Sequence, residues 1–135
     1  MSLNNAAVVT APSAFAPTGG TTLQFASMGS AASGKLTLYV PADTDLRVRR
    51  TMDLTAKQPA ISTNAPNGYT QARAAAVFKL PKVLANGKIT VGTARVELAY
   101  DVEFTTAEIN QLKHVIAQAV LDSDFDAVWS GLSLA

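Results

Sequence analysis

The stretch LRVRR, residues 46–50, sets Arg47 and Arg49 on one side of a period-2 alternation, with Leu46 and Val48 on the other. Guanidinium groups projected together from one side of a strand are suited to phosphate, an anion that accepts their forked N–H donors in pairs. Residue types for acid–base or covalent catalysis are sparse by comparison. The sole histidine, His114, lies in a helix-like stretch, and no motif supplies it with a serine or cysteine partner. The chain has no cysteine, so disulfides, zinc ribbons and thiolate metal sites are excluded. This inventory argues against an enzyme and implies neither cofactor nor metal.

The distribution of charge is more informative than its total. A formal net charge of +1 conceals three zones. Residues 1–34 carry no charged side chain. Between 46 and 95 stand Arg47, Arg49, Arg50, Lys57, Arg73, Lys79, Lys82, Lys88 and Arg95 against Asp53 alone. From 96 onward Glu97, Asp101, Glu103, Glu108, Asp122, Asp124 and Asp126 face only Lys113. A basic middle with so few carboxylates for mutual pairing is the electrostatic signature of a nucleic-acid partner.

Other limits come from size and composition. With 135 residues, 48% of them hydrophobic and 16% charged, the sequence fits one folded domain rather than a disordered chain. The opening MSLNNAAVVTAPSAFAP lacks the cationic start and continuous apolar run of a secretory signal, and no later run reaches 18 apolar residues. A soluble, unexported chain with no membrane partner is expected.

The elements that must position the cations follow from pattern. AAVVT (6–10) and TTLQFAS (21–27) flank a Pro- and Gly-containing connection and are expected to pair as a hairpin within residues 1–28. KLTLYV (35–40) alternates Leu36, Leu38 and Val40 against Lys35, Thr37 and Tyr39, and Pro41 stops it. A strand over 46–56 follows, then KQPAISTNAPNGYT, whose prolines and Asn67-Gly68 mark a long mobile loop. QARAAAVFKL (71–80) divides between helix, favoured by its alanines, and strand, favoured by alternation of Gln71, Arg73 and Lys79; strand is the reading adopted. PKVLANGK (81–88) reads as a turn, and ITVGTARVELAYDVEF (89–104) as one long strand. Thr105 with Glu108 has capping-box spacing, and Ile109, Leu112, Val115, Ile116, Ala119 and Val120 recur at helical intervals. Asp122 to Asp124 can cap a second, shorter helix carrying Phe125, Val128, Trp129 and Leu132.

All strands precede both helices, which predicts an α+β domain: an antiparallel sheet with helices on one face and the other face wet. Arg47 and Arg49, Arg73 and Lys79, and Arg95 would then share one surface from three strands. Arg50 breaks the alternation, as a bulge or a position at an edge or subunit contact would. With few aromatic side chains, such a surface is directed at the phosphate backbone more than at bases. The helical stripe and Trp129 demand burial, either on the chain's own sheet or on that of a partner copy.

In this order of elements the chain resembles the coat proteins of small single-stranded RNA bacteriophages. FKLPKV (78–83), a strand ending at a proline-led loop, and RVELAYDVEFTTAE (95–108), a long strand entering a helix, are similar to that family's corresponding segments. The resemblance covers about residues 35–134 and treats 1–135 as one coat-protein domain: hairpin 1–28, sheet 35–104, helices 105–134. It implies a five-stranded antiparallel sheet, an intertwined homodimer whose helices clasp the partner, and an icosahedral shell enclosing single-stranded RNA. The virion would be the protein's location, with assembly in the cytoplasm of a bacterial host. It further implies stem-loop binding with translational repression, and an RNA-facing set of Arg47, Arg49, Thr51, Arg73, Lys79, Arg95 and Glu97. Ile109, Leu112, Val115, Ile116 and Trp129 would form the dimer interface. At the last strand the best-known members present an aromatic side chain for base stacking, where this sequence has Arg95. The competing expectations are a nonviral dimeric RNA-binding regulator and a β-rich adhesion or carbohydrate-binding module.

Overall fold

The structure is a computed structural model that describes residues 6–8, 10, 19–28 and 34–134. They belong to two units: Gly19–Val102, which carries the sheet, and Met1–Thr18 with Glu103–Ala135, which carries the helices.

The sheet has five strands in sequential order, each antiparallel to the next: β1 Ala26–Ser27, β2 Lys35–Tyr39, β3 Thr51–Lys57, β4 Ala72–Val83 and β5 Ile89–Tyr100. Strand β4 lies between β3 and β5, and pairing along both of its edges overrides the helix preference of Ala74, Ala75 and Ala76. Pairing continues through Pro81 and Lys82 to Val83, so only Leu84–Lys88 forms the turn, closed by Leu84 N–H to Lys88 O at 2.7 Å. Proline is tolerated there for a geometric reason. Alternation from the Leu84–Lys88 bond puts the Pro81 nitrogen on the side away from β5, and β3 has already ended opposite Lys79.

Several expected boundaries move. Residues 46–50 are not strand: Asp43 and Asp45 seize the backbone, accepting from the N–H of Arg50 (3.0 Å) and of Arg47 (3.0 Å), and hold the segment as a looped turn. Strand β5 stops at Tyr100 instead of reaching Phe104. The loop after β3 is folded, with an Ile61–Tyr69 bridge, paired Ala60 and Thr70 backbones, and Asn67 Nδ2 donating to Asp101 at 2.6 Å. Of the expected N-terminal hairpin, residues 1–5, 9 and 11–18 lie outside the described residues; Ala6–Val8 form no strand, and in 21–27 only Ala26–Ser27 are strand, paired with β2 as the sheet's edge.

In the helical unit, α1 spans Thr106–Leu121 behind the expected capping box, with Thr105 Oγ1 accepting from Glu108 N–H at 3.2 Å and the Glu108 carboxylate accepting from Thr105 N–H at 3.1 Å. Asp122 then caps a 3-10 turn, Ser123–Phe125, which leads into the short α2, Asp126–Trp129. Trp129 Nε1 donates to the Ala119 carbonyl at 2.7 Å, fastening α2 to α1. Among the described residues Val40 is the one fully buried hydrophobic side chain; Leu112, Ile116, Val120 and Trp129 are all exposed. No described helix is long and apolar enough to cross a membrane.

Candidate nucleic-acid interface

Directly opposed residues in an antiparallel sheet point to the same side, so the register sorts every strand residue onto one of two faces. One face is apolar: Leu36, Leu38, Met52, Leu54, Phe78, Val96, Leu98 and Tyr100 lie along it, and Phe25 meets Phe78 edge-on with ring centroids 6.5 Å apart. The other carries Lys35, Thr37, Tyr39, Thr51, Asp53, Thr55, Lys57, Arg73, Lys79, Thr93, Arg95 and Glu97. Five cations from four strands therefore share a surface with two acids, and all five are exposed.

Two transverse rows define its centre. Lys35, Thr55, Ala75 and Glu97 are in register across β2 to β5, and beside them Lys57 opposes Arg73. These residues, with Arg95, ring a depression of about 600 Å³ whose floor is made of small side chains. Glu97 bridges two arginines, Arg73 at 3.0 Å and Arg95 at 3.3 Å, and these bonds, Arg73 foremost, hold its carboxyl below the usual glutamate range. Asp53 accepts from Thr37 Oγ1 at 2.8 Å and lies 3.5 Å from Lys79 Nζ; the Thr37 bond is the main cause of its lowered pKa, with Lys35 and Lys79 adding to it. One carboxylate shared by two guanidinium groups leaves net positive charge where Arg73 and Arg95 meet.

The loop arginines differ. Arg47 makes two bonds to Asp45, through Nε at 3.2 Å and NH2 at 3.0 Å, and stands off the strands. Arg50 grips Asp43 in the same forked way at 2.8 and 2.9 Å, holding that carboxyl down to about 2. Arg50 is thus not the site of a strand bulge: it lies in a looped turn, where the carboxylate of Asp43 pairs it one to one. Arg49 donates Nε to the Asp43 carbonyl at 3.0 Å and sets its guanidinium carbon 4.9 Å from the Tyr39 ring centroid.

The structure therefore brings Thr51, Arg73, Lys79, Arg95 and Glu97 of the expected set onto one sheet face, with Arg49 at its border over Tyr39. Arg47 is not among them. The expectation that carboxylates would be too few for pairing is corrected, because Asp43, Asp45, Asp53 and Glu97 together engage five cations. Lys35 and Lys57 were missed as contributors, although both continue the alternations Lys35-Thr37-Tyr39 and Thr51-Asp53-Thr55-Lys57 legible in the sequence.

No protein-family model and no curated protein matches the chain. Among solved structures it is similar to a chain of the virus-like particle of bacteriophage GQ-907, at 26% identity and a TM-score of 0.88, covering 99% of this chain and all of that one. The virus-like particle of bacteriophage ESE058 matches at 14% identity and a TM-score of 0.65 over 82% of this chain and 86% of that one. That of Beihai levi-like virus 21 matches at 15% and 0.62 over 81% and 84%. With a five-stranded antiparallel sheet followed by two C-terminal helices, and a full-length likeness to a particle-forming chain, the protein is a coat protein of the RNA-phage type, structural rather than enzymatic.

Proposed function

We propose that the chain dimerises, assembles into an icosahedral shell in the cytoplasm of a bacterial host, and packages single-stranded RNA against the polar face of its sheet. The observation that carries this reading is the registered cluster of Lys35, Lys57, Arg73, Lys79 and Arg95 on one face, opposed by Asp53 and Glu97 alone. Flexible polyanion is the partner that such a surface attracts, through release of its counterions. Binding of a genomic stem-loop, with the translational repression the family resemblance implies, would use the same face.

Dimerisation is supported by what the chain leaves uncovered. Strand β5 presents a twelve-residue edge, whose N–H groups at residues 89, 91, 93, 95, 97 and 99 point away from β4 by the alternation that fixes Pro81. Left unpaired, such an edge is an aggregation hazard; paired with its copy, it continues the sheet into a partner. Leu112, Ile116 and Trp129, exposed at 36%, 39% and 53%, supply an apolar helical surface for the same partner, with Ile109 and Val115 beside them. At about 25 cal/mol per Å², covering it is worth several kcal/mol.

Expression in bacteria, followed by electron microscopy and extraction of enclosed nucleic acid, tests the proposal. Closed particles that protect RNA from nuclease are expected. Small soluble species only, or shells that are empty at physiological salt, would contradict it.

A further inference from the structure

We infer that Asn86–Gly87, at the turn of the β4–β5 hairpin, is a self-modification site where the chain hydrolyses its own side-chain amide to a carboxylate, and that Asp101 withholds the same reaction from Asn67–Gly68. The inference is independent of RNA binding. These two are the only Asn-Gly pairs in the sequence. In both, the asparagine Oδ1 accepts from the amide two residues on, Lys88 N–H at 3.0 Å and Tyr69 N–H at 3.3 Å, and the glycine is left-handed, with φ of 83° and 86°.

That turn brings the asparagine Cγ alongside the glycine nitrogen that attacks it, because the ring closed by the Oδ1 bond contains both atoms. The N–H on Oδ1 also faces the oxygen on which negative charge develops. With no Cβ, and nothing within 4 Å of where one would stand, Gly87 is free to close the five-membered ring. Its nitrogen gives up a proton to water and bonds to Cγ; the Cγ–Nδ2 bond then breaks, releasing ammonia that takes up a proton from water. A second water opens the resulting succinimide at either carbonyl. One cleavage restores the main chain with a side-chain carboxylate, and the other leaves the main chain running through Cγ, as isoaspartate. The amide and one water are consumed, ammonia and a carboxylate are formed, and nothing is oxidised or reduced.

What separates the two sites is the leaving nitrogen. Asn67 Nδ2 donates to the Asp101 carboxylate at 2.6 Å, a charge-assisted bond that fixes the amide plane and pushes electron density toward Cγ, making that carbon a poorer target. Asn86 Nδ2 has no partner among the described residues, and Asn86 and Gly87 are exposed where Asn67 and Gly68 are half-buried. The glycine nitrogens favour the opposite order: Gly87 N–H is held by Leu84 O at 2.9 Å, and Gly68 N–H by Ala65 O at 3.2 Å. Bonds to a charged group are about twice as strong as neutral ones, so the Asp101 contact decides. The product alters the hairpin. Lys82 and Lys88 are the only charged residues between 80 and 91, so two cations less one new anion take the tip from +2 to +1. Isoaspartate also inserts a methylene into the turn that the Leu84–Lys88 bond closes.

The test incubates the full-length protein at neutral and at mildly alkaline pH and follows the tryptic peptides 83–88 and 58–73 by mass spectrometry. Amide-to-carboxyl exchange is expected at Asn86, divided between aspartate and isoaspartate and accelerating in proportion to hydroxide. It should run roughly tenfold faster than at Asn67, the factor that one charge-assisted hydrogen bond supplies. In denaturant the two rates should become nearly equal. A ratio unchanged by unfolding overturns the inference, as does native Asn67 converting as fast as Asn86, or no conversion at Asn86. Asp101→Asn keeps an acceptor but removes the charge, and should raise the Asn67 rate toward that of Asn86 while leaving Asn86 unchanged; an unaltered Asn67 rate overturns the role of Asp101.

Discussion

Replacing Arg73 and Arg95 together by alanine isolates the electrostatic role of the sheet face. Both side chains are well exposed, at 54% and 62%, and both share the carboxylate of Glu97, itself 34% exposed. Exposed ion pairs of this kind are worth little to folding, so exchanging Glu97 for an RNA phosphate costs little and the variant should still fold. Each lost phosphate contact reduces the slope of log K against log salt by about 0.7 for single-stranded and about 0.9 for duplex nucleic acid. Two contacts therefore flatten the slope by about 1.4 to 1.8, which at 0.1 M salt, with the 1 M intercept unchanged, is a loss of about 25- to 60-fold in affinity. Filter binding of a labelled RNA over a salt series reads both quantities at once. Arg47→Ala serves as the comparison: that guanidinium is held by two bonds to the single carboxylate of its own loop aspartate and lies off the sheet, so its slope change should be well under one unit. Parallel salt lines for the double variant and wild type would refute the reasoning, as would a larger effect from Arg47→Ala than from the sheet pair.

Glu97→Gln removes the anion that Arg73 and Arg95 share, and should tighten nonspecific RNA binding several-fold at low salt, an effect that fades as salt rises; weaker binding would show that Glu97 contacts RNA itself. Leu112→Asp with Ile116→Asp places charge on the apolar stripe of α1 and should leave monomers by sedimentation, whereas an intact dimer would place the interface elsewhere. Thr105→Ala removes a hydroxyl that closes the capping box and should cost about 1 kcal/mol, read as a lowered unfolding midpoint of the protein in denaturant. For acid, the sign follows from Asp43, whose carboxyl is lowered from 3.8 to about 2 by Arg50: its contribution is complete above the unfolded value and is lost as pH falls toward about 2. Acid unfolding followed by circular dichroism should therefore be less steep across that window in Asp43→Asn than in wild type, and identical curves would discount the pair.

The long-range pattern of the fold was legible because alternation and capping are local signals that agree with the tertiary result. KLTLYV, ARVELAY and the Thr105–Glu108 box each report a face or a boundary within a few residues, and each formed as expected. The misreadings share a different cause. LRVRR alternates like a strand, yet Asp43 and Asp45 offer its amides and guanidinium groups nearer acceptors than a neighbouring strand would, and the loop wins. Pro81 reads as a terminator, but a missing N–H is harmful only where a partner strand awaits it, and which side of β4 is unpartnered is a property of the sheet and not of the chain. The same holds for the site. Alternation alone placed Arg73, Lys79 and Arg95 on polar faces of their separate strands; only the register showed that those faces coincide and that Lys35 and Lys57 complete the ring around the small side chains of Thr55 and Ala75.

The most direct trial of the central claim is to irradiate purified particles so that enclosed RNA crosslinks to protein, and to map the attachment sites by mass spectrometry. Crosslinked peptides from Lys35–Tyr39, Thr51–Lys57, Ala72–Lys79 and Thr93–Ala99 are predicted, with attachment at alternate residues of the polar face. Attachments concentrated on α1 and α2, or on the alternate residues of the apolar face, would contradict the account.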